Sequence, residues 1–325
     1  MNIGIVVSPE NPVPPVGYGG AERVANVMTL TLMQLGHRVT LFCVKGSTCP
    51  ASMMYMTDPG FNNVALLARQ ALDMLHDKRL DVVIDYGSCH FTNRSAGPEW
   101  PVISIMGGDP FKKYPHDAVT NRVYASPEFA AFYDCPNHPS LGFPICMEPE
   151  KVPCGPGGGP AVFVGPIHAI KGIEVPAAAC KRLGETLAVY GPIRAGQESY
   201  WESVKNEVDY CGVLYEQDKN EVLGHASVFC HATQVCDADP GAPKEAMLRG
   251  TPTVACPNGG IVGRIKDGKN GYFANSPPEF AVAIKLARQL DREYVRQSIL
   301  DQCDPLEFGK RVEALCIRAV KGERW

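Results

Sequence analysis

The chain has 325 residues, of which 45% are hydrophobic and 20% charged, and a formal net charge of -4. That composition is ordinary for a globular protein with a sizeable core, and the length suggests two domains. The charge gives no global pull toward nucleic acid or anionic lipid, no apolar run reaches the length of a membrane span, and the chain start shows no signal-peptide pattern.

"IGIVVS" (3–8) reads as an apolar strand. A Gly- and Pro-rich loop follows, and then "AERVANVMTLTLMQLGHR", where Val24, Val27, Met28, Leu32 and Leu35 fall at helical spacing and Gly36 is a stop. "VTLFCV" (39–44) is the next strand. This is a βαβ unit, and the near-continuous apolar strands suit a buried parallel sheet. The alternation continues with "VALLARQALDMLHD" as helix, "DVVIDYG" and "PVISIMGG" as strands, and a Ser-capped helix start in "SPEFAAFYDC".

"MEPEKVPCGPGGGP" (147–160) breaks the rhythm, because it suits neither a helix nor an interior strand. It is read as a flexible domain boundary, giving domains at 1–150 and 151–303. The second series has strands at "AVFVGP", "TLAVYGP", "VDYCGVL", "SVFCHA" and "TPTVACP", with helices at "GQESYWESVKNEV" and "EQDKNEVLGHA" between them. The tail is mostly helical, with a break near Asp304-Pro305 and a final segment at 304–325. The expected fold is α/β: two Rossmann-like doubly wound domains facing across a cleft, where the carboxyl ends of parallel strands bind ligands.

Thirteen Cys are odd in number and scattered, with no C-x-x-C pair, and the eight His contain no H-x-x-x-H pair. Reduced thiols in a cytoplasmic protein are the expectation, rather than a zinc ribbon or a redox motif.

Gly17, Gly19 and Gly20 precede a helix N-terminus, where free N–H groups favour an anion; a turn without a ligand is the plainer alternative. A dinucleotide fingerprint would need its glycines directly after the strand, and here Pro-rich sequence intervenes, which disfavours an NAD-dependent oxidoreductase. No P-loop pattern occurs. In "FVGPIHAIKG" (163–172) a strand ends at Gly165, and Lys171 can reach back to a phosphate as a mobile point charge, or simply be solvated. In "CDADPGAPKEAMLRGTPTVACPNGG" (236–260) a loop leads into a short helix carrying Glu245. That carboxylate can accept both hydroxyls of a ribose, or merely complement the helix dipole. Gly259 and Gly260 follow the next strand, where backbone can approach a ligand closely.

With these pieces in order, the chain resembles the family 4 retaining glycosyltransferases of GT-B fold. "GYGGAERVANVMTLTLMQLGHRVTLFCVKGS", "FVGPIHAIKGI", "KNEVLGHASVFCHAT", "KEAMLRGTPTVACPNGG" and "IKDGKNGYF" carry the resemblance. It implies transfer of a hexose from a nucleotide diphosphate sugar, of UDP-glucose or GDP-mannose type, to an acceptor that the sequence does not name. It implies no metal and no further cofactor. Lys171 matches its phosphate-binding Lys, Gly19 and Gly20 the loop facing the diphosphate, and Glu245 the second Glu of E-x7-E, on the ribose. The N-terminal domain would take the acceptor, the C-terminal domain the donor, and the last helix would cross back onto the first domain. Domain closure would then exclude water.

The chain departs from that pattern in three places. Asp237 replaces the first Glu of E-x7-E, which faces the sugar. Pro166 replaces the Arg that pairs with the Lys, with His168 or Arg194 as candidate substitutes. Gly263 replaces the Glu after the Gly pair. A non-catalytic sugar-nucleotide-binding protein on the same fold is the alternative that Pro166 supports. Asp237-Ala238-Asp239 also spells D-x-D, a metal motif in the other large glycosyltransferase fold, although Asp239 can equally begin a turn. The family's usual His positions fall at Ile84 and Tyr86, which leaves Asp85 and His90 as candidates for proton handling and Asp109 as a weaker one. "DPFKKYPHDAVTNR" is locally basic; it suits a solvated face, with peripheral membrane contact or an anionic acceptor as alternatives.

Overall fold

The computed structural model describes residues 1–17, 19–60, 63–87, 90–108 and 119–325, without the side chains of residues 216 and 217. The chain divides into two compact units, Met1–Glu148 with Cys303–Trp325, and Pro149–Gln302.

The first unit holds strands β1 (Asn2–Val7), β2 (Arg38–Val44), β3 (Met53–Thr57), β4 (Val82–Tyr86), β5 (Val102–Met106) and β6 (Arg122–Tyr124). They form one parallel sheet in the order β3-β2-β1-β4-β5-β6. Helices α1 (Gly20–Gln34), α2 (Val64–His76), α3 (Phe91–Ala96) and α4 (Pro127–Phe132) are the connections. The central strands are mostly apolar because both faces are covered, so β1, β4 and β5 bury nearly every residue. Ser126 caps α4 by accepting from the Phe129 amide at 3.1 Å, as its sequence suggests. The edge strands β3 and β6 escape a reading of the sequence. β3 is half-exposed and β6 has three residues, so neither carries an apolar run.

The second unit repeats the topology. Strands β7 (Ala161–Val164), β8 (Leu187–Tyr190), β9 (Val208–Tyr210), β10 (Val228–His231), β11 (Thr253–Ala255) and β12 (Gly271–Phe273) pair in parallel in the order β12-β11-β10-β7-β8-β9. Counted from its own first strand this is the same doubly wound order as in the first unit, so the units share topology as well as class. Helices α5 (Glu174–Arg182), α6 (Glu198–Val204), α7 (Glu216–His225), α8 (Gly241–Leu248), α9 (Pro277–Ala287) and α10 (Arg292–Leu300) complete it. One core, around Phe163, Val189, Cys230, Val254 and Phe280, lies between the sheet and α5 and α9.

The glycine-rich stretch before β7 is built into the second unit, which corrects its reading as a flexible segment. A Cβ on Gly155 would stand 2.2 Å from the Gly224 carbonyl oxygen, and one on Gly159 2.7 Å from that of His225. Arg292 donates to the carbonyls of Gly155, Gly224, Ala226 and Arg249. The glycines serve close backbone approach here.

Helix α11 (Pro305–Val320) belongs to the first unit and packs on α1. Gly309 lets it come close, since a Cβ there would meet Thr31 Cβ at 2.7 Å. His37 Nε2 lies 2.7 Å from Glu313, and the Trp325 indole N–H donates to the Arg122 carbonyl at 2.9 Å. No helix among the described residues is long and apolar enough to cross a membrane.

Candidate active site

In the second unit three loops leave the carboxyl ends of β7, β10 and β11 and are laced together by backbone. After β7 the chain forms a 3-10 turn, Ala169–Lys171, rather than entering α5 directly. His168 caps it, its Nδ1 accepting from the Ile170 amide at 3.2 Å. Gly172 ends it in the left-handed region at φ 61°, where a Cβ would stand 2.4 Å from the Ala232 carbonyl. The Gln234 amide donates to the Ile170 carbonyl at 2.7 Å. Lys171 is thereby held against the exit of β10, and its Nζ lies 2.7 Å from Asp237 Oδ2.

Asp237 sits at the centre of this lacing. Its backbone bridges Gly259, and the Gly260 amide donates to its carbonyl at 2.8 Å. Gly259 has φ 73°, and a Cβ there would stand 2.1 Å from the Asp237 carbonyl oxygen. The bareness of Gly259 therefore admits the Asp237 backbone. Burial works to raise the Asp237 carboxyl, but Lys171, His231 and Lys244 outweigh it and hold the group below its ordinary range.

Two residues on, Asp239 is turned inward. Its side chain is fully buried and takes Lys244 Nζ at 2.8 Å and Arg264 through both Nε (3.1 Å) and Nη2 (2.8 Å). Lys244 is itself 1% exposed. Asp239 thus knits the loop before α8 to α8 itself and to the turn after β11. The two acids of D-x-D have different partners, and Asp239 is an anchor in an ion triad.

Glu245 lies in the second turn of α8, so it is not a first-turn acid on the helix dipole. It faces Lys219 of α7, whose Nζ is 2.9 Å from each carboxylate oxygen. Around these loops Lys171, Lys219, Lys244 and Arg264 set four cations against Asp237, Asp239 and Glu245. Burial, with the charges of Lys171 and Arg194, pushes His168 below its ordinary pKa, and the Arg194 amide donates to the Ile167 carbonyl at 3.2 Å, just before the Lys171 turn. Pro166 is buried.

In the first unit Gly19 is the N-cap of α1. A Cβ there would meet Pro15 Cβ at 2.6 Å and Glu22 Oε2 at 2.9 Å, whereas Gly20 faces open space. Burial pushes the Glu22 carboxyl up, and Asn11 donates to it at 3.1 Å. Asp85, at the end of β4, is buried and accepts from the amides of Gly87 at 3.2 Å and Asn93 at 2.9 Å. Its carboxylate holds the chain's turn into α3, which is the structural alternative to proton handling. His90 lies beside it in the left-handed region at φ 50°, unusual for a non-glycine, with Nδ1 buried and unpartnered among the described residues. Asp109 and residues 110–118 of the basic stretch lie outside the described residues.

Comparison with known proteins bears on both units. Residues 160–288 match the family model described as Glycosyl transferases group 1. No curated protein matches the sequence. Solved structures match over essentially the whole chain. AviGT4, a glycosyltransferase involved in avilamycin A biosynthesis, is 19% identical with a TM-score of 0.76, covering 100% of this chain and 99% of its own. Sucrose-phosphate synthase from Thermosynechococcus elongatus is 14% identical with a TM-score of 0.78, covering 99% and 100%. HepE from Anabaena in complex with UDP-glucose is 12% identical with a TM-score of 0.73, covering 97% and 99%.

The chain has the GT-B fold. Within this GT-B chain the matched segment contains Gly165, Lys171, Asp237, Glu245, Gly259 and Gly260, and the structure joins Lys171, Asp237, Gly259 and Gly260 into one cluster. Lys219, Lys244, Arg264 and His231 were not legible as site residues in the sequence. The first three carry no local motif, and His231 stands only at the end of an apolar strand. His231 is 5% exposed, and its Nε2 has no hydrogen-bond partner among the described residues.

Proposed function

We propose that the chain is a retaining, metal-independent glycosyltransferase that moves a hexose from a nucleotide diphosphate sugar to an acceptor. The observation that carries this is the junction of Lys171 and Asp237 at the carboxyl end of the second sheet, with Glu245 on the adjacent α8. That junction lies inside the segment matched by the glycosyl transferase model, and a structure of the same fold is solved with UDP-glucose. In this reading Lys171 takes the diphosphate, assisted by Arg194, and stabilises charge that develops on the leaving phosphate. Glu245 takes the ribose hydroxyls while Lys219 fixes the orientation of its carboxylate. Asp237 faces the transferred sugar, and Gly165, just past β7, lines the donor site. The first unit binds the acceptor, with His90 rather than Asp85 as its candidate for polar contact. The donor is of UDP-glucose or GDP-mannose type, and the protein works in the cytoplasm.

A panel of nucleotide sugars in a thermal-shift assay tests this, since a ligand that binds the native state raises its apparent stability. One base and one sugar should stabilise the protein, and transfer or donor hydrolysis should vanish in Glu245→Ala and Lys171→Ala. Stabilisation with no turnover on any acceptor would favour the second reading, a non-catalytic sugar-nucleotide binder. Pro166 supports that reading, because it removes a permanent bidentate donor from the phosphate site.

A further inference from the structure

His231 ends β10, buried and with Nε2 unpartnered among the described residues, and the turn that carries Lys171 packs through Gly172 against the carbonyl of the next residue, Ala232. A buried polar nitrogen without a partner is costly, and native proteins retain few of them. Its neighbours are specific. Lys171 reaches in from the turn after β7 and Asp237 from the loop after β10, and both act on it electrostatically. Lys244 of α8 acts on Asp237 but is held by Asp239, as is Arg264. On β11's side, the Cys256 amide donates to the His231 carbonyl at 2.9 Å, and burial keeps the Cys256 thiol protonated.

We propose that His231 is a positioning residue of the donor site, which takes a proton from solvent and receives the Asp237 carboxylate when a donor diphosphate draws Lys171 away. This rests on the reading that Lys171 binds the diphosphate. The physical argument is charge balance. Lys171 and Asp237 neutralise each other in the structure, and a sugar nucleotide adds two negative charges to that pair. Arg194 answers one of those charges, Pro166 supplies no second cation, and Lys244 and Arg264 are held by Asp239. His231 is an adjacent protonatable group whose Nε2 has no hydrogen-bond partner among the described residues. Burial and the Lys171 charge push it down to about 4, so it is neutral while Lys171 faces Asp237. Adding the diphosphate reverses the sign of the local field and favours the imidazolium.

Calorimetry of UDP-glucose and GDP-mannose binding, in buffers of differing ionisation enthalpy, reads the proton directly. Both donors are diphosphate diesters and do not titrate in the range used. A His moving from about 4 to its ordinary value near 6.5 takes up most of one proton at about pH 5.5 and almost none at about pH 8. That uptake is the expected result for whichever donor binds. It should disappear in His231→Gln, and also in Asp237→Asn, which removes the imidazolium's partner without touching β10. Binding without proton uptake, or uptake that persists in His231→Gln, overturns the role of His231 and leaves the donor reading intact. If neither donor binds, the donor reading falls and this proposal falls with it.

Discussion

Lys171 and Glu245 each face an ion-pair partner, Asp237 and Lys219. Lys171→Met should weaken nucleotide-sugar affinity by about tenfold to a hundredfold, the size expected for losing a charge-assisted contact. Glu245→Gln should weaken it by about tenfold, with the loss confined to ligands that carry a ribose. His231 sets a pH limb of stability. Its folded-state pKa, near 4, lies below the ordinary value, so between the two the unfolded chain binds more protons. Stability is therefore complete above the unfolded value and falls as pH falls from about 6.5 toward 4, by about 3 kcal/mol in all. Asp237 is shifted in the same direction, and its contribution is lost at lower pH still, as its depressed carboxyl protonates. Urea midpoints measured across this range should show the upper limb in the parent protein and a shallower one in His231→Gln.

The loops after β7, β10 and β11 and helix α8 act as one body, and the Asp239 triad is what ties them. Asp239→Asn leaves Lys244 and Arg264 buried without their counter-charge and should cost about 3–5 kcal/mol. Replacing all three with Leu, Met and Leu should be neutral or stabilising by about 1–4 kcal/mol, since a buried ion network is weak evidence for stability. Chemical denaturation of both variants separates an anchor from a contributor to stability. Gly259→Ala should cost about 1–3 kcal/mol from its left-handed backbone alone. It should also push the Asp237 loop away, so its donor affinity should fall together with its stability. These ties explain what the sequence could convey. Lys171 and Glu245 stand in local strand-loop-helix patterns and were legible. Lys219 and Arg264 find their partners 26 and 25 residues away, and no local pattern records such a pairing. The glycine-rich stretch before β7 misled for the same reason, because its glycines answer to carbonyls on a distant helix end.

The two units carry the same strand order on unrelated core sequences. The apolar strands made that fold class readable, while the short edge strands stayed hidden. The second unit is one continuous segment, and the first needs the C-terminal helix to cover α1. A fragment spanning 149–302 should therefore fold cooperatively by itself and keep its sugar-nucleotide affinity. Deleting the residues after 302 should destabilise the first unit while leaving that affinity in place, which differential scanning calorimetry with and without donor would read. The central claim is that a sugar nucleotide is held on the second unit through Lys171 and Glu245. Calorimetric titration of the parent protein, Lys171→Met and Glu245→Gln with UDP-glucose and GDP-mannose tests it most directly. The account predicts saturable binding of one donor by the parent, weakened at least about tenfold in each variant. Binding of neither donor, or equal affinity in all three proteins, would contradict it.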